Sequence, residues 1–156
     1  MKYLTGYSIG VGGIVLRKNK ILMARGSNQV WQLPGGYVEC NETIESAIVR
    51  EVTEETSLIC KINSIVALRN RTYKPASSFL NDTYIVFKLT PINDEDPKPD
   101  GIEVIETVFM DQQQIENLKN CPQIFKSIVK LALSKKERLV RSDTFEKNPN
   151  SYVLYQ

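Results

Sequence analysis

Six glutamates crowd into the stretch GGYVECNETIESAIVREVTEETSL at positions 35–58, where Arg50 is the only cationic residue. They are Glu39, Glu42, Glu45, Glu51, Glu54 and Glu55. If the segment is a helix turning about 100° per residue, the last three continue the stripe begun by its apolar residues. A solvated charged face, the ordinary alternative, would lie opposite the apolar stripe. The position of the three glutamates on the apolar stripe therefore favours a functional site over an ordinary solvated surface.

Three like charges at positions i, i+3 and i+4 repel one another unless cations neutralise them. Oxygen ligands without histidine or thiolate partners suit a hard divalent ion, Mg²⁺ or Mn²⁺. Arg50 precedes Glu54 by four residues, so we expect it to pair with a neighbouring carboxylate and fix its rotamer. An ordinary surface ion pair, the alternative for Arg50, would contribute little.

The spacing of these residues resembles the signature of the Nudix hydrolases. It consists of Gly36, Glu42 and the run REVTEETSL from Arg50 to Leu58, preceded by LPGG, with Ser57 where the family has glycine. The resemblance implies an α/β (α+β) fold, a Nudix-type α/β/α sandwich with a mixed β-sheet flanked by helices. It also implies hydrolysis of nucleoside diphosphates linked to another moiety. A non-glycine residue in a left-handed helix end costs on the order of 1 kcal/mol.

By position, the resemblance implies that Glu54 and Glu55 are the main metal ligands and Glu51 a further ligand or base. The carbonyl of Gly35 is a further ligand candidate, and Arg50 and Glu42 support the loop and helix. The implied cofactor is Mg²⁺, with Mn²⁺ as the alternative. Glu39 and Glu45 fall outside the signature and are expected to be solvated.

Many family members use an additional glutamate from a distant loop. Glu103 is our candidate and Glu106 the second, with two exposed glutamates at a strand start as the alternative. Glu103 follows the polar loop PINDEDPKPDG at positions 91–101. We expect this loop to be flexible enough to carry Glu103 over bound substrate.

The segments FLNDTYIVFKL and ETVFMD look like the branch that includes ADP-ribose and dinucleotide pyrophosphatases. The function that this resemblance favours is a pyrophosphohydrolase with an ADP-ribose-like substrate. The alternatives are a house-cleaning nucleoside triphosphate pyrophosphohydrolase and a non-catalytic Nudix-like ligand sensor. An isopentenyl diphosphate isomerase is disfavoured because its metal site needs histidines. Four aromatic residues either stack on a base or fill core: Trp31, Tyr37, Tyr73 and Phe79.

Composition bounds the remaining classes. The length of 156 residues predicts one domain, 1–156. The net charge of +2 is too small to indicate electrostatic binding of nucleic acid. The chain has no histidine, which excludes Ser-His and Cys-His nucleophiles. Three cysteines without a CxxC pair favour a reducing cytoplasm. We expect a small-molecule nucleotide partner, no DNA and no membrane, and a homodimer is left open.

The predicted elements follow from periodicity and turn residues. YSIGVGGIVLRKNKILMAR reads as a hairpin, Trp31 to Leu33 as a short strand before a break at Pro34-Gly35-Gly36, and Thr43 to Thr56 as a helix. Strands are expected at 62–73, 82–90 and 102–110, and a helix from Pro122. For the tail at 137–156, the sequence leaves open whether it packs against the domain or is disordered.

Overall fold

Nine strands and three helices follow one another in the computed structural model, which describes residues 5–73, 79–134, 141–142 and 152–155. The first part contains β1 (Thr5–Arg17), β2 (Lys20–Gly26), β3 (Trp31–Gln32), β4 (Gly35–Tyr37) and α1 (Ile44–Thr56). β5 (Cys60–Tyr73), β6 (Phe79–Pro91), β7 (Val104–Met110), α2 (Gln112–Glu116) and α3 (Gln123–Ala132) follow. The last two strands are β8 (Arg141–Ser142) and β9 (Tyr152–Tyr155).

The strands pair in the order β3-β2-β1-β6-β5-β9-β8, with β4 added to β1 and β7 added to β2. β1 and β6 run parallel, whereas β2 and β4 are antiparallel to β1. The sheet is therefore mixed, as predicted. Its long central strands form the base on which both helical layers pack.

The sheet is covered on both faces because its strands alternate their apolar side chains. Val11 and Val15 of β1 pack in one core cluster with Ala47 and Ile48 of α1. Ile14 of β1 belongs to the opposite cluster, which contains Ile115 of α2 and Ile128, Val129 and Ala132 of α3. The predicted α/β/α arrangement is confirmed.

The turn between β1 and β2 confirms the predicted hairpin. Lys18 and Asn19 have φ values of 47° and 63°, and Arg17 pairs with Lys20 across them. Two consecutive positive φ angles define a type I′ turn, whose twist matches that of the flanking strands.

Two features differ from the sequence-based expectation. The predicted break at Pro34-Gly35-Gly36 is instead the start of β4, which pairs with β1. The short helix α2 was not predicted, although Asp111 and Gln114 form a capping box at its start. Of the tail at 137–156, the structure describes only β8 and β9, and β9 pairs with β5.

Helix α1 has well-defined ends, in agreement with the prediction. Thr43 accepts a hydrogen bond from the N–H of Ser46 at the first turn. Ser57 ends the helix in the left-handed conformation, with φ 59° and ψ 11°, and donates its N–H to the carbonyl of Thr53. Ser57 therefore occupies the backbone conformation for which glycine is favoured.

None of the helices in the described ranges has the length and the apolar composition that crossing a membrane requires.

Substitutions at Ser57 test this helix end. Ser57→Gly should change the free energy of unfolding by about 1 kcal/mol or less, because relief of the left-handed strain exceeds the cost of the freer unfolded chain and offsets much of the lost hydroxyl bond to the carbonyl of Lys98. Ser57→Ala loses the same hydroxyl bond but keeps the strain, so it should be the least stable of the three proteins in urea unfolding. Equal stability of the alanine and glycine variants would contradict the left-handed assignment.

Candidate active site

The guanidinium of Arg50 is the centre of a hydrogen-bond network beside β4. Its Nε and Nη2 donate to the two carboxylate oxygens of Glu42 at 3.1 and 2.7 Å. Nη1 donates to Glu51 at 3.0 Å and to Glu54 at 3.2 Å, and Nη2 also reaches the carbonyl of Tyr37 at 3.1 Å. All five N–H groups that a guanidinium offers are thus used.

These contacts shift the ionisation of both partners. Hydrogen bonding to Glu42, and then to Glu51 and Glu54, raises the pKa of Arg50 above its usual value. The Arg50 hydrogen bond and the N–H of Glu39 lower the pKa of Glu42. Glu42 therefore connects the loop before α1 to the helix, and the expected pairing of Arg50 with a neighbouring carboxylate is confirmed.

Strand β4 turns backbone groups of Gly35 and Tyr37 toward α1. In an antiparallel pair, residues alternate between those bonded to the partner strand and those whose N–H and C=O both point away. Val38 donates to Ile9 and Gly13 donates to Pro34, which leaves Gly35 and Tyr37 as the outward-pointing positions. Accordingly, the N–H of Gly35 donates to Glu55 Oε2 at 2.8 Å. In a regular strand the carbonyl of a residue points to the same side as its N–H, which keeps the Gly35 carbonyl as a candidate ligand on this side.

The carboxylate of Glu51 lies directly over Gly36. A Cβ atom on Gly36 would come 2.5 Å from Glu51 Oε1, so any other residue at this position would displace the Glu51 carboxylate. The Glu51 side chain is only 13% exposed. Burial is the main cause that raises its pKa, against the lowering effect of Arg50, and the charges of Glu54 and Glu103 raise it further.

Glu55 is the most buried of the carboxylates on α1, with an exposed fraction of 4%. Burial raises its pKa to about 8, and the N–H of Gly35 opposes this shift. The negative charges of Glu51, Asp100 and Glu103 raise the pKa further. A buried carboxylate surrounded by like charges is destabilised in its ionised form unless a cation is supplied.

The prediction that Glu54 continues the buried stripe of α1 is wrong. Glu51 and Glu55 are covered, in line with the buried residues Ala47, Ile48 and Val52, but the Glu54 side chain is 60% exposed. The reason is helical geometry, since one residue's rotation of about 100° separates Glu54 from Glu55. Glu54 lies at the edge of the stripe, where Arg50 reaches it.

The structure separates the two candidates for the additional glutamate. Glu106 on β7 forms an ion pair with Arg25 of β2, with Nη2 and Oε2 2.5 Å apart. The charge of Glu103 instead acts on both Glu51 and Glu55. This arrangement favours Glu103 as the candidate group.

Three tertiary hydrogen bonds hold the loop before Glu103. The N–H of Lys98 donates to the carbonyl of Thr56 at 2.8 Å, and the Lys98 carbonyl accepts from the Ser57 hydroxyl at 3.3 Å. Arg17 donates to the carbonyl of Glu95 at 2.6 Å. The loop is thus bonded to the end of α1 and to β1, and its movement over bound substrate stays a prediction.

The chemistry of this donor set fits a hard divalent cation. Within the described ranges, no three carboxylate or thiol groups converge closely enough to enclose an ion. Arg50 draws Glu51 and Glu54 to itself while Gly35 holds Glu55. Mg²⁺ keeps several waters and uses few protein ligands. The excess negative charge around buried Glu55 is what such an ion would offset.

Of the four aromatic candidates for base stacking, two can be placed fully. Trp31 packs against a core cluster, and the guanidinium of Arg25 lies 5.6 Å from its ring centroid. Tyr37 is 65% exposed next to the Arg50 network. The side chains of Tyr73 and Phe79 fall outside the described part of the chain. Tyr37 is therefore the aromatic residue available to a ligand at this edge.

Comparison with known proteins gives a match to the NUDIX domain over residues 6–131. An ADP-ribose pyrophosphatase from Methanocaldococcus jannaschii is 45% identical over 65 residues, covering 39% of this chain and 38% of that protein. A nucleoside diphosphate-linked moiety X motif 6 protein from Xenopus laevis is 30% identical over 138 residues, covering 83% of this chain and 63% of that protein. The matches thus span less than two thirds of these relatives.

Solved structures share the fold. A MutT protein from Methanosarcina mazei Go1 superimposes with a TM-score of 0.68 at 24% identity, over 83% of this chain and 94% of that one. A NUDIX hydrolase from Nitrosomonas europaea gives a TM-score of 0.67 at 26% identity, over 82% and 70% of the two chains.

The pKa of Glu55 predicts how stability depends on pH in metal-free buffer. Its ordinary value of 4.5 rises to about 8 in the folded protein, so the folded state binds more protons than the unfolded state between these values. Stability should therefore fall as pH rises from 4.5 to 8, with this group contributing at most about 1.4 kcal/mol per pH unit. Glu55→Gln should flatten that dependence and exceed wild type in stability at pH 8.

Thermal unfolding at several pH values measures this effect. Glu45→Gln on the same helix is the matched control, because Glu45 is exposed, and it should keep the wild-type pH dependence. Parallel pH profiles of wild type and Glu55→Gln would contradict the assigned environment.

Proposed function

Given that the chain belongs to the Nudix family, we propose that it is a metal-dependent pyrophosphohydrolase. It would cleave the diphosphate bond of a nucleoside diphosphate linked to another moiety, with an ADP-ribose-like compound as the leading substrate. We propose further that residues 1–156 form one Nudix domain and that the protein acts in the cytoplasm. The NUDIX match over residues 6–131 supports one domain, and the three free thiols are consistent with a reducing compartment.

One observation carries the proposal: a buried carboxylate, Glu55, lies between a backbone amide and three other acidic groups. The neighbours that raise its pKa come from α1 and from the segment before β7. Structural carboxylates in a core are normally paired with a cation. A cluster that is instead short of positive charge is suited to a ligand that brings it.

Glu51, Glu54 and Glu55 would hold the divalent cation, together with the carbonyl of Gly35. When bound, a divalent cation neutralises the diphosphate charge and lowers the pKa of water that attacks phosphorus. Mg²⁺ is the proposed ion and Mn²⁺ the alternative, because the donors are all oxygen atoms.

The remaining residues position and move protons. Arg50 fixes the rotamers of Glu51 and Glu54 through its hydrogen bonds, so these oxygens need little rearrangement before the reaction. Glu103 is the proposed base, with Glu51 as the alternative. Burial raises the pKa of Glu51 toward neutral pH, and a general base is most effective when its pKa lies near the pH of the reaction.

The substrate class rests on a relative. The match to the protein named ADP-ribose pyrophosphatase is the more identical of the two reported, though it covers only part of each chain. Exposed Tyr37 beside the Arg50 network supplies an aromatic surface on which a nucleobase can stack.

A substrate panel tests the proposed activity. ADP-ribose, dinucleoside diphosphates and nucleoside triphosphates are incubated with the protein and Mg²⁺ or Mn²⁺, and products are separated by chromatography. ADP-ribose should give AMP and ribose 5-phosphate with the highest kcat/KM. Higher kcat/KM for triphosphates would move the assignment to the house-cleaning reaction, and no turnover of any compound would contradict catalysis.

Glutamine variants test the proposed ligands. Glu54→Gln and Glu55→Gln should each lower kcat by about 100-fold or more, since each removes charge that would hold the cation, while circular dichroism stays that of wild type. Glu45→Gln should keep wild-type kcat. Wild-type turnover by either ligand variant at saturating Mg²⁺ would refute its assigned role.

Glu103→Gln and Glu106→Gln separate the two candidates for the additional group. Loss of the base should reduce kcat much more than substrate affinity, because proton transfer acts in the transition state. Glu106→Gln breaks the pair with Arg25 and should affect stability rather than kcat. The reverse pattern in steady-state kinetics would transfer the role to Glu106.

A further inference from the structure

The carboxylate of Asp100 is the acceptor for three consecutive backbone amides. Its Oδ1 accepts from the N–H groups of Ile102, Glu103 and Val104 at 2.8, 3.1 and 3.0 Å. An ionised acceptor makes stronger hydrogen bonds than a neutral one. A single oxygen atom therefore fixes the backbone on both sides of Glu103.

The backbone around Glu103 is held by two further hydrogen bonds. Gly101 has a φ of 76° and donates its N–H to the carbonyl of Val104 at 2.9 Å, which closes the turn. The carbonyl of Glu103 accepts from the N–H of Ser27 at 3.0 Å. Both backbone polar groups of Glu103 are thus committed, one to Asp100 and one to the end of β2.

The same segment is tied to the end of α1. Lys98, two residues before Asp100, bonds through its N–H to Thr56 and through its carbonyl to Ser57. The helix that carries Glu51 and Glu55 and the turn that carries Glu103 are therefore connected by a short anchored path. Between Lys98 and Glu103, the side chain of Asp100 is the group that bonds to the backbone N–H of Glu103.

The charge of Asp100 acts unfavourably on a neighbouring carboxylate. Its charge is among those that raise the pKa of buried Glu55. A side chain needed only to fill this exposed turn would not require a negative charge next to other carboxylates. The three amide hydrogen bonds are the compensating interaction that the structure shows.

We propose that Asp100 is a positioning residue that holds Glu103 in register with the carboxylates of α1. The inference rests on the proposed function, because it assigns Asp100 a role in presenting the base of that reaction. Asp100 acts on the reaction only through the 102–104 backbone, without contacting the substrate.

Four variants test the proposal. Asp100→Ala removes the acceptor, and Asp100→Asn keeps an acceptor oxygen without the charge. Glu103→Gln and the double variant Asp100→Ala/Glu103→Gln measure coupling between the two residues. Asp96→Ala is the matched control, since Asp96 is an exposed aspartate of the same loop.

Kinetics should show a loss in kcat rather than in KM. Asp100→Ala should lower kcat about 10- to 100-fold, the effect expected of a displaced catalytic group. Asp100→Asn should lose clearly less, because it keeps an acceptor oxygen but makes weaker hydrogen bonds, and Asp96→Ala should stay within about threefold of wild type. The double variant should be no slower than Glu103→Gln alone. Wild-type kcat in Asp100→Ala or in Glu103→Gln, additive losses in the double variant, or no rescue by asparagine would each overturn the proposal.

Hydrogen exchange of the 102–104 amides gives a readout independent of turnover. Exchange should be slow in wild type, at least tenfold faster in Asp100→Ala and intermediate in Asp100→Asn. Unchanged exchange in Asp100→Ala would overturn the positioning role even in an active enzyme. If wild type turns over no compound of the substrate panel, the proposed function fails, and with it the catalytic part of the inference, whereas the exchange rates still decide whether Asp100 fixes the turn.

Discussion

The hydrogen bonds of Arg50 are the interaction on which the arrangement of the site depends. Glu42, Glu51 and Glu54 would repel one another on and beside one helix, and one guanidinium bonds to all three. The same group reaches the carbonyl of Tyr37, so it also joins α1 to β4. The position of β4 then determines which backbone groups and which glycines face the helix.

Glu55 shows what Arg50 leaves uncompensated. In the part of the chain that the structure describes, its hydrogen bond comes from the neutral N–H of Gly35 rather than from a cation. Its pKa is raised by burial and by neighbouring negative charge. The fold thus maintains a local excess of negative charge at the edge of β4, at a cost to stability in the absence of a ligand. This excess is the physical basis of the proposed metal dependence.

The sequence predicts features that depend on local chemistry and misses those that depend on distant partners. Helix α1 and the hairpin at Lys18 follow from periodicity and turn residues, and the left-handed end at Ser57 follows from the glycine that the family has at this position. Strand β4 does not, because three residues pair only with a strand more than twenty positions earlier. Helix α2 could have been found from the Asp111 capping box.

The same limit applies to the candidate site. The carboxylates of α1 could be identified by spacing, but the different exposure of Glu54 and Glu55 depends on what covers the helix. The distinction between Glu103 and Glu106 requires knowing that β7 lies beside β2, where Arg25 pairs with Glu106. The anchoring of the 91–101 loop likewise depends on Thr56 and Ser57, which its own composition does not indicate.

The proposed function requires that a divalent cation binds at the edge formed by α1 and β4. Anomalous diffraction from crystals grown with Mn²⁺ locates such an ion. We expect a peak at coordination distance, about 2 Å, from the Glu55 carboxylate, with Glu51, Glu54 or the Gly35 carbonyl as further ligands. Fully occupied Mn²⁺ elsewhere in the protein, with no peak at this edge, would contradict it.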